Sequence, residues 1–298
     1  MKKIFKCILL VLIISICGCK NYKGNEKLYK DDLKVYFINV GQADCTLIIL
    51  PTEEVVLIDA GLDHATCYDS TVNFPSWENI KKIFDIEMIQ TINYFIITHN
   101  HADHYYFASK IINEYIVNTV VMSGSTSTNY TYYNILNSIN SRNVDTKIVK
   151  IKDYIINQKQ LFLQVVSTKK EDNPSDANSC SVATKLTYNK ISFMFTGDMG
   201  YNDGEIEALN SGIDLKSNVL KVGHHGSTYS SGRDFLRAVK PDYSVITTSN
   251  YTTTGHPHTA SLNRLEYYSK KIFQSKTDGT ILFQNNGIEL SYVTHYGE

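Results

Sequence analysis

Between Thr98 and His104 the chain reads Thr-His-Asn-His-Ala-Asp-His, directly after the apolar run Tyr94-Phe95-Ile96-Ile97. Neither the period of a helix nor that of a strand can aim His99, His101, Asp103 and His104 the same way, so they must lie on a loop that converges on something. Neutral imidazole with carboxylate suits Zn²⁺ or a similar divalent ion. An apolar strand before the loop and an amphipathic segment over 104–115 after it form the strand-loop-helix context in which binding groups concentrate. Such a segment predicts an α/β domain with a metal site at a strand end.

The chain has 298 residues and 43% hydrophobic content, enough to bury a substantial core. Residues 1–18 pair a basic start (Lys2, Lys3, Lys6) with an apolar run from Cys7 to Ile16, the layout of an export leader and too short to span a bilayer. They resemble a bacterial lipoprotein signal, which implies a lipid on Cys19 and an outward-facing protein attached to the membrane. Residues 19–32 then read as a polar tether and 33–298 as one domain. Without the three leader lysines the formal charge falls from −1 to −4, so no global basic footprint for nucleic acid exists. Lys216, Lys221, Arg233, Arg237 and Lys240 make only a modest basic cluster. Cys45, Cys67 and Cys180 form no C-x-x-C pair, and small buried hydrophobes are their default reading.

Three β-rich runs (35–39, 46–50, 55–59), separated by Gly41 and Pro51-Thr52, predict an antiparallel meander. A helix from about Trp77 to Phe84 follows, with Ser76 as a plausible N-cap. Alternating strands and helices continue to the C-terminus, and the second half repeats the order of the first. Two such halves with no linker between them point to a four-layer αββα sandwich, with two sheets face to face and helices outside.

Two further loops follow apolar strands: Thr196-Gly197-Asp198 after Phe193-Met194-Phe195, and Gly223-His224-His225-Gly226-Ser227 after Val219–Val222. In this order, the H-x-H-x-D-H segment, Leu57-Ile58-Asp59-Ala60-Gly61, Thr-Gly-Asp and the later histidines resemble the metallo-β-lactamase-fold hydrolase superfamily. Within it, Phe37-Ile38-Asn39-Val40-Gly41-Gln42-Ala43-Asp44, Leu220 to Ser227, His256-Pro257-His258 and Thr277-Asp278-Gly279 are similar to the extracellular domain of ComEC-type DNA-uptake competence proteins.

The resemblance implies His99, His101, Asp103 and His104 as first-loop ligands, Asp198 as a bridging carboxylate and His224 as the late ligand of a second ion, with Asp59 bracing the loop. Asn178 stands where the superfamily usually has a histidine; an amide oxygen is a weaker ligand and would make the site more tolerant of Mn²⁺ than an all-histidine one, with Zn²⁺ still the expected ion. His225 either shares ligand duty with His224 or reaches the substrate. His256 and Ser227 are further catalytic or substrate-binding candidates, and His258 flanks the same proline.

Two divalent ions can activate water and clamp a phosphoester, so the expected activity is that of a metal-dependent phosphodiesterase, nuclease-like, acting on DNA or a cell-wall polymer outside the cytoplasmic membrane. Other readings stay open at this point. Tyr105, Tyr106, Tyr130, Tyr132 and Tyr133 would suit a choline cage, and hence a phosphocholine esterase. A lactone or β-lactam hydrolase and a non-catalytic surface-binding lipoprotein complete the set. The Tyr- and Asn-rich segment 123–146 is the expected substrate loop.

Overall fold

The computed structural model describes residues 32–298 apart from 70, 173 and 252, so the expected leader, Cys19 and almost all of the tether lie outside the described residues. Within the described part, no helix is long and apolar enough to cross a membrane.

The first half contributes β1 (Leu33–Phe37), β2 (Thr46–Ile49), β3 (Val55–Ile58), β4 (Thr91–Ile96), β5 (Ile116–Met122) and β6 (Asp145–Ile148). The second contributes β7 (Tyr154–Gln158), β8 (Leu161–Ser167), β9 (Ala183–Tyr188), β10 (Ile191–Phe195), β11 (Val219–Lys221), β12 (Tyr243–Ile246) and β13 (Lys271–Gln274), and then β14 (Ile281–Asn285) and β15 (Leu290–Val293). One sheet runs β15-β14-β1-β2-β3-β4-β5-β6 and the other β13-β12-β11-β10-β9-β8-β7. The last two strands thus return to the first sheet, where β14 pairs antiparallel with β1.

Period-two alternation builds the layers. Val35, Phe37, Val56, Ile58, Phe193, Phe195, Val219 and Val245 meet between the sheets, while Tyr36, Leu47, Leu57 and Phe95 face outward from the first sheet. Helices Ser76–Ile86, Ala108–Glu114 and Tyr130–Arg142 cover that outer face through Ile80, Ile83, Ile111, Ile112 and Ile135. Helices Gly204–Asn210, Arg233–Val239 and Thr259–Tyr268 cover the second sheet through Ala208, Phe235, Leu236 and Leu265. Each fully buried side chain of this size stabilises by about 1.5–3 kcal/mol. The αββα sandwich is the observed fold.

Each sheet is antiparallel on one side and parallel on the other: β3 to β6 run parallel, and so do β10 to β13. Loops after parallel strands all leave at the same edge, the usual place for ligand sites in open α/β sheets. Here these are the loops after β3, β4, β10, β11 and β12.

Local expectations differ from the structure in several places. Ser76 does not cap its helix; Pro75 holds that position, and the Ser76 hydroxyl donates to the Val40 carbonyl at 2.8 Å. The segment 104–115 is two short helices, Ala102–Tyr105 and Ala108–Glu114, because Phe107 N–H turns to the Ala60 carbonyl. Strand β7 has no counterpart among the predicted elements.

Candidate metal centre

The loop after β4 is held by its neighbours as well as by the short helical turn Ala102–Tyr105 in which it ends. Ala60 N–H donates to the His104 carbonyl at 2.7 Å, Leu62 N–H to Ala102 at 3.2 Å, and Asp44 N–H to Asp103 at 2.8 Å. Gly61 is required for this approach, since a Cβ there would lie 1.8 Å from the Asp103 carbonyl oxygen.

Asp59, at φ 59°, adopts the left-handed region that non-glycine residues seldom occupy. Its carboxylate accepts from Thr98 N–H at 2.8 Å and from the Thr98 hydroxyl at 2.7 Å, and it meets His104 Nδ1 at 2.8 Å. With Nδ1 engaged, His104 turns Nε2 to within 3.2 Å of Asp198 Oδ2. His99 Nε2 lies 3.1 Å from His101 Nδ1, and His99 Nδ1 lies 3.4 Å from the Ser181 hydroxyl, which accepts the Asp198 N–H.

His224 and His225 both have φ 50°, and this double left-handed turn sends adjacent rings to different places. Ligand atoms of Asp103, His104, Asp198 and His225 lie within 4.8 Å of one another, all four residues buried. His225 Nε2 is 3.5 Å from Asp103 and 3.6 Å from Asp198. Its Nδ1 sits 2.9 Å from the Thr247 carbonyl, which fixes the ring. His224 stands 3.8 Å from Asp198 with its side chain 31% exposed, on the wall of the cleft. Geometry therefore gives the inner position to His225, where the resemblance gave it to His224.

Burial opposes charge on His104, but the carboxylates of Asp198, Asp59 and Asp44 outweigh it and hold the imidazole well above its usual range. The same balance, dominated by Asp198 and Asp103, raises His225. Burial drives His99 well below the usual range, with His104 adding to the effect. Asp103 and Asp198 are lowered despite their burial, Asp103 chiefly by His225 and Asp198 chiefly by His104. Burial and the neighbouring His224 push His256 down to about 3.

A cleft of about 150 Å³ opens over these groups, lined also by Gln42, His64, Cys67, Tyr68, Thr254 and His256. The His224 and His256 rings are 5.2 Å apart. His258 is spent structurally: Nδ1 accepts the Thr228 N–H at 3.0 Å, which leaves Nε2 to donate to the Thr254 carbonyl at 3.2 Å. Ser227 does not line the cleft, and its hydroxyl accepts the Tyr229 N–H at 3.3 Å. Asn178 lies in the 3₁₀ turn Ala177–Cys180, its Oδ1 buried without a hydrogen-bond partner among the described residues. None of Tyr105, Tyr106, Tyr130, Tyr132 and Tyr133 lines the cleft, whereas Tyr68 does.

Sequence reasoning missed Lys221 and Asp44. In sequence Lys221 belongs to the modest basic cluster of residues 216–240, yet it is buried and makes an ion pair with Asp44, 3.6 Å from Asp198 Oδ1 and 3.2 Å from the Gly197 carbonyl. Lys221 follows Val219 by two residues and so projects between the sheets. A lysine inside an apolar strand was the available signal, because an isolated buried ammonium is too costly to leave unpaired.

The profile of the metallo-β-lactamase superfamily matches residues 38–250. This chain belongs to the metallo-β-lactamase superfamily. It is 25% identical over 292 residues to ComE operon protein 3 of Bacillus subtilis, covering 93% of this chain and 35% of that protein. It is 32% identical over 108 residues to competence protein ComA of Neisseria gonorrhoeae, covering 36% of this chain and 16% of that one. The chain thus spans about a third or less of the length of these relatives.

Among solved structures it is similar to Igni18, a metallo hydrolase from Ignicoccus hospitalis, with TM-score 0.52, 13% identity, and coverage of 85% of this chain and all of that one (100%). It is also similar to CmlA, a diiron β-hydroxylase from Streptomyces venezuelae, with TM-score 0.51, 12% identity, and coverage of 82% and 53%. Likeness at that identity concerns the fold alone. Membership of the metallo-β-lactamase superfamily makes the chain one of a family of metal-dependent hydrolases with competence-protein relatives.

Proposed function

We propose that this superfamily member is a metal-dependent phosphodiesterase, nuclease-like in its substrate. One observation carries the metal part of the reading. Among the described residues His104 Nε2, Asp198 Oδ1 and His225 Nε2 are buried and make no hydrogen bond, their charged neighbours standing 3.2 to 3.6 Å away, although they converge from three loops. Leaving buried polar atoms unmatched costs about 1–3 kcal/mol each, so a set this concentrated is explained by a ligand they share. Imidazole with carboxylate fits a divalent cation, Zn²⁺ or Mn²⁺.

Asp103, His104, Asp198 and His225 would hold one ion. His99 and His101 would hold the second, with Asn178 as a weak donor and Asp198 shared. Such ions supply Lewis acidity and activate water at neutral pH. The chain's own groups do the rest. Asp59 fixes the tautomer of His104 and Thr247 that of His225. Asp103 and Asp198, held ionised, give the centre its negative charge. His224 and His256 at the cleft wall, both shifted towards the neutral form, offer N–H groups to a phosphoryl oxygen rather than positive charge. The relatives named for competence favour a nucleic-acid phosphodiester, and the leader read over residues 1–18 supports a reaction outside the cytoplasmic membrane with Cys19 as its anchor.

The test is hydrolysis of bis-p-nitrophenyl phosphate by the full chain supplied with Zn²⁺ or Mn²⁺, with Asp103→Ala and a chelator alongside. Turnover should require metal and vanish in the variant; turnover surviving in Asp103→Ala would sink the assignment. Loss of membrane fractionation in Cys19→Ala tests the anchor.

A further inference from the structure

A second concave surface lies behind the loop 227–231. On helix Thr259–Tyr268, Ala260, Asn263, Arg264 and Tyr267 recur at helical spacing and so share one face. Arg233 and Arg237, one turn apart on helix Arg233–Val239, face them across a groove of about 610 Å³. A neighbouring hollow of about 540 Å³ shares Arg233 and Arg264 and extends the groove to Thr228 and Tyr201.

The groove has a distinct chemistry. Arg264 is pre-organised: Nε donates to the Ser231 carbonyl at 3.1 Å and Nη2 to those of Thr228 and Ser230 at 3.0 and 2.8 Å. Arg237 pairs with Asp234 at 2.9 Å, but both side chains are largely exposed, a setting in which ion pairs are weak. Glu205, the other acid at this surface, is buried and accepts from Ser231 and Gly232 N–H groups. Arg233 has no acidic partner within 4 Å among the described residues. Tyr267 is 82% exposed and packs edge-to-face on Tyr268 at 4.9 Å. In a chain of formal charge −1, three guanidinium groups beside two exposed or half-exposed tyrosines are a local exception.

We propose that this groove is a second binding site, for single-stranded nucleic acid, that leads a strand to the catalytic cleft. The inference rests on the phosphodiesterase reading of that cleft. Guanidinium groups match phosphates and tyrosine faces match unstacked bases, the pairing by which single strands are held without sequence preference. Continuity comes from Thr228: its carbonyl holds Arg264, and its N–H is bound by His258, two residues from His256 on the cleft wall.

The experiment is fluorescence anisotropy of a labelled oligothymidylate with the full chain in chelator, where the strand stays intact. The double variant Arg233→Ala/Arg237→Ala should bind about tenfold more weakly, with a salt dependence shallower by about 1 to 1.5 in log–log slope, since each single-strand phosphate contact contributes about 0.7. Tyr267→Ala should lose about 5- to 150-fold. Lys216→Ala/Lys240→Ala, which removes exposed charge outside the groove, should change little. Melting curves confirm that each variant is folded.

Equal binding by the arginine variant, or equal loss in the lysine variant, overturns the groove. Competition by a base-free polyphosphate as tight as by oligothymidylate overturns the nucleic-acid assignment. Bis-p-nitrophenyl phosphate turnover by the same parent protein separates the two readings: arginine-dependent binding without turnover sinks the catalytic one, and turnover with arginine-independent binding sinks this one.

Discussion

Lys221 and Asp44, remote in sequence, form a buried ion pair at the sheet edge, and through it the cation of β11 stands beside the carboxylates of the candidate centre. Asp44 in turn accepts from the Thr247 hydroxyl at 2.5 Å, and Thr247 holds His225. Three loops are thereby referenced to one ammonium group.

Removing one partner of a buried pair strands the other charge, at a cost of about 3–5 kcal/mol. Lys221→Met should therefore lower stability by that order in denaturant titrations, and more than Lys221→Met combined with Asp44→Leu, which removes both charges. A double variant less stable than the single one would contradict this account.

Asp59→Asn keeps the shape but offers its amide nitrogen or a neutral oxygen to His104. Loss of such a supporting partner typically weakens metal binding 10- to 100-fold. Calorimetric titration with Zn²⁺ should show that loss while the melting temperature without metal moves less.

Gly61→Ala places a methyl where the Asp103 carbonyl oxygen stands, 1.8 Å from the new carbon. Backbone must shift, because neither side has a flexible end to give way. The expected outcome is a folded protein with metal affinity reduced at least tenfold; unchanged affinity would show that the loop does not need this approach.

Glu205, from 4.5, is pushed up to about 7 by burial, with the Gly232 and Ser231 N–H groups opposing. The folded state thus holds this proton more tightly than the unfolded chain. Its stabilising contribution is complete below about pH 4.5 and is lost as pH rises through 7. The whole effect is at most about 3 kcal/mol. Glu205→Gln, which cannot ionise, should gain on the parent by that order between pH 5 and pH 8 in paired denaturation curves.

Divalent metal should stabilise by mass action. At a hundredfold excess over Kd the gain is about 2.7 kcal/mol, and melting should rise several degrees on adding Zn²⁺ or Mn²⁺ and fall back with chelator. In Asp103→Ala the response should be much smaller.

What could be read beforehand was what local pattern encodes. Alternation such as Val35-Tyr36-Phe37 assigns faces, and loops after apolar runs mark the edge where His99 to His104 and Asp198 gather. What could not be read depends on partners distant in sequence or on single backbone angles. Lys221 looks like surface charge until Asp44 is brought beside it. His224 and His225 are equivalent in sequence, and only the two left-handed φ values separate them. Ser76 has the composition of a cap, but the Val40 carbonyl offers its hydroxyl a better partner.

The candidate ligands divide between the two sheets: His99, His101, Asp103 and His104 follow β4, while Asp198 and His225 follow β10 and β11. Neither half of the polypeptide carries a complete set. If the chain were severed in the turn between β6 and β7, each fragment would be a poor chelator alone, and capture of the ion would register that the two pieces had found each other.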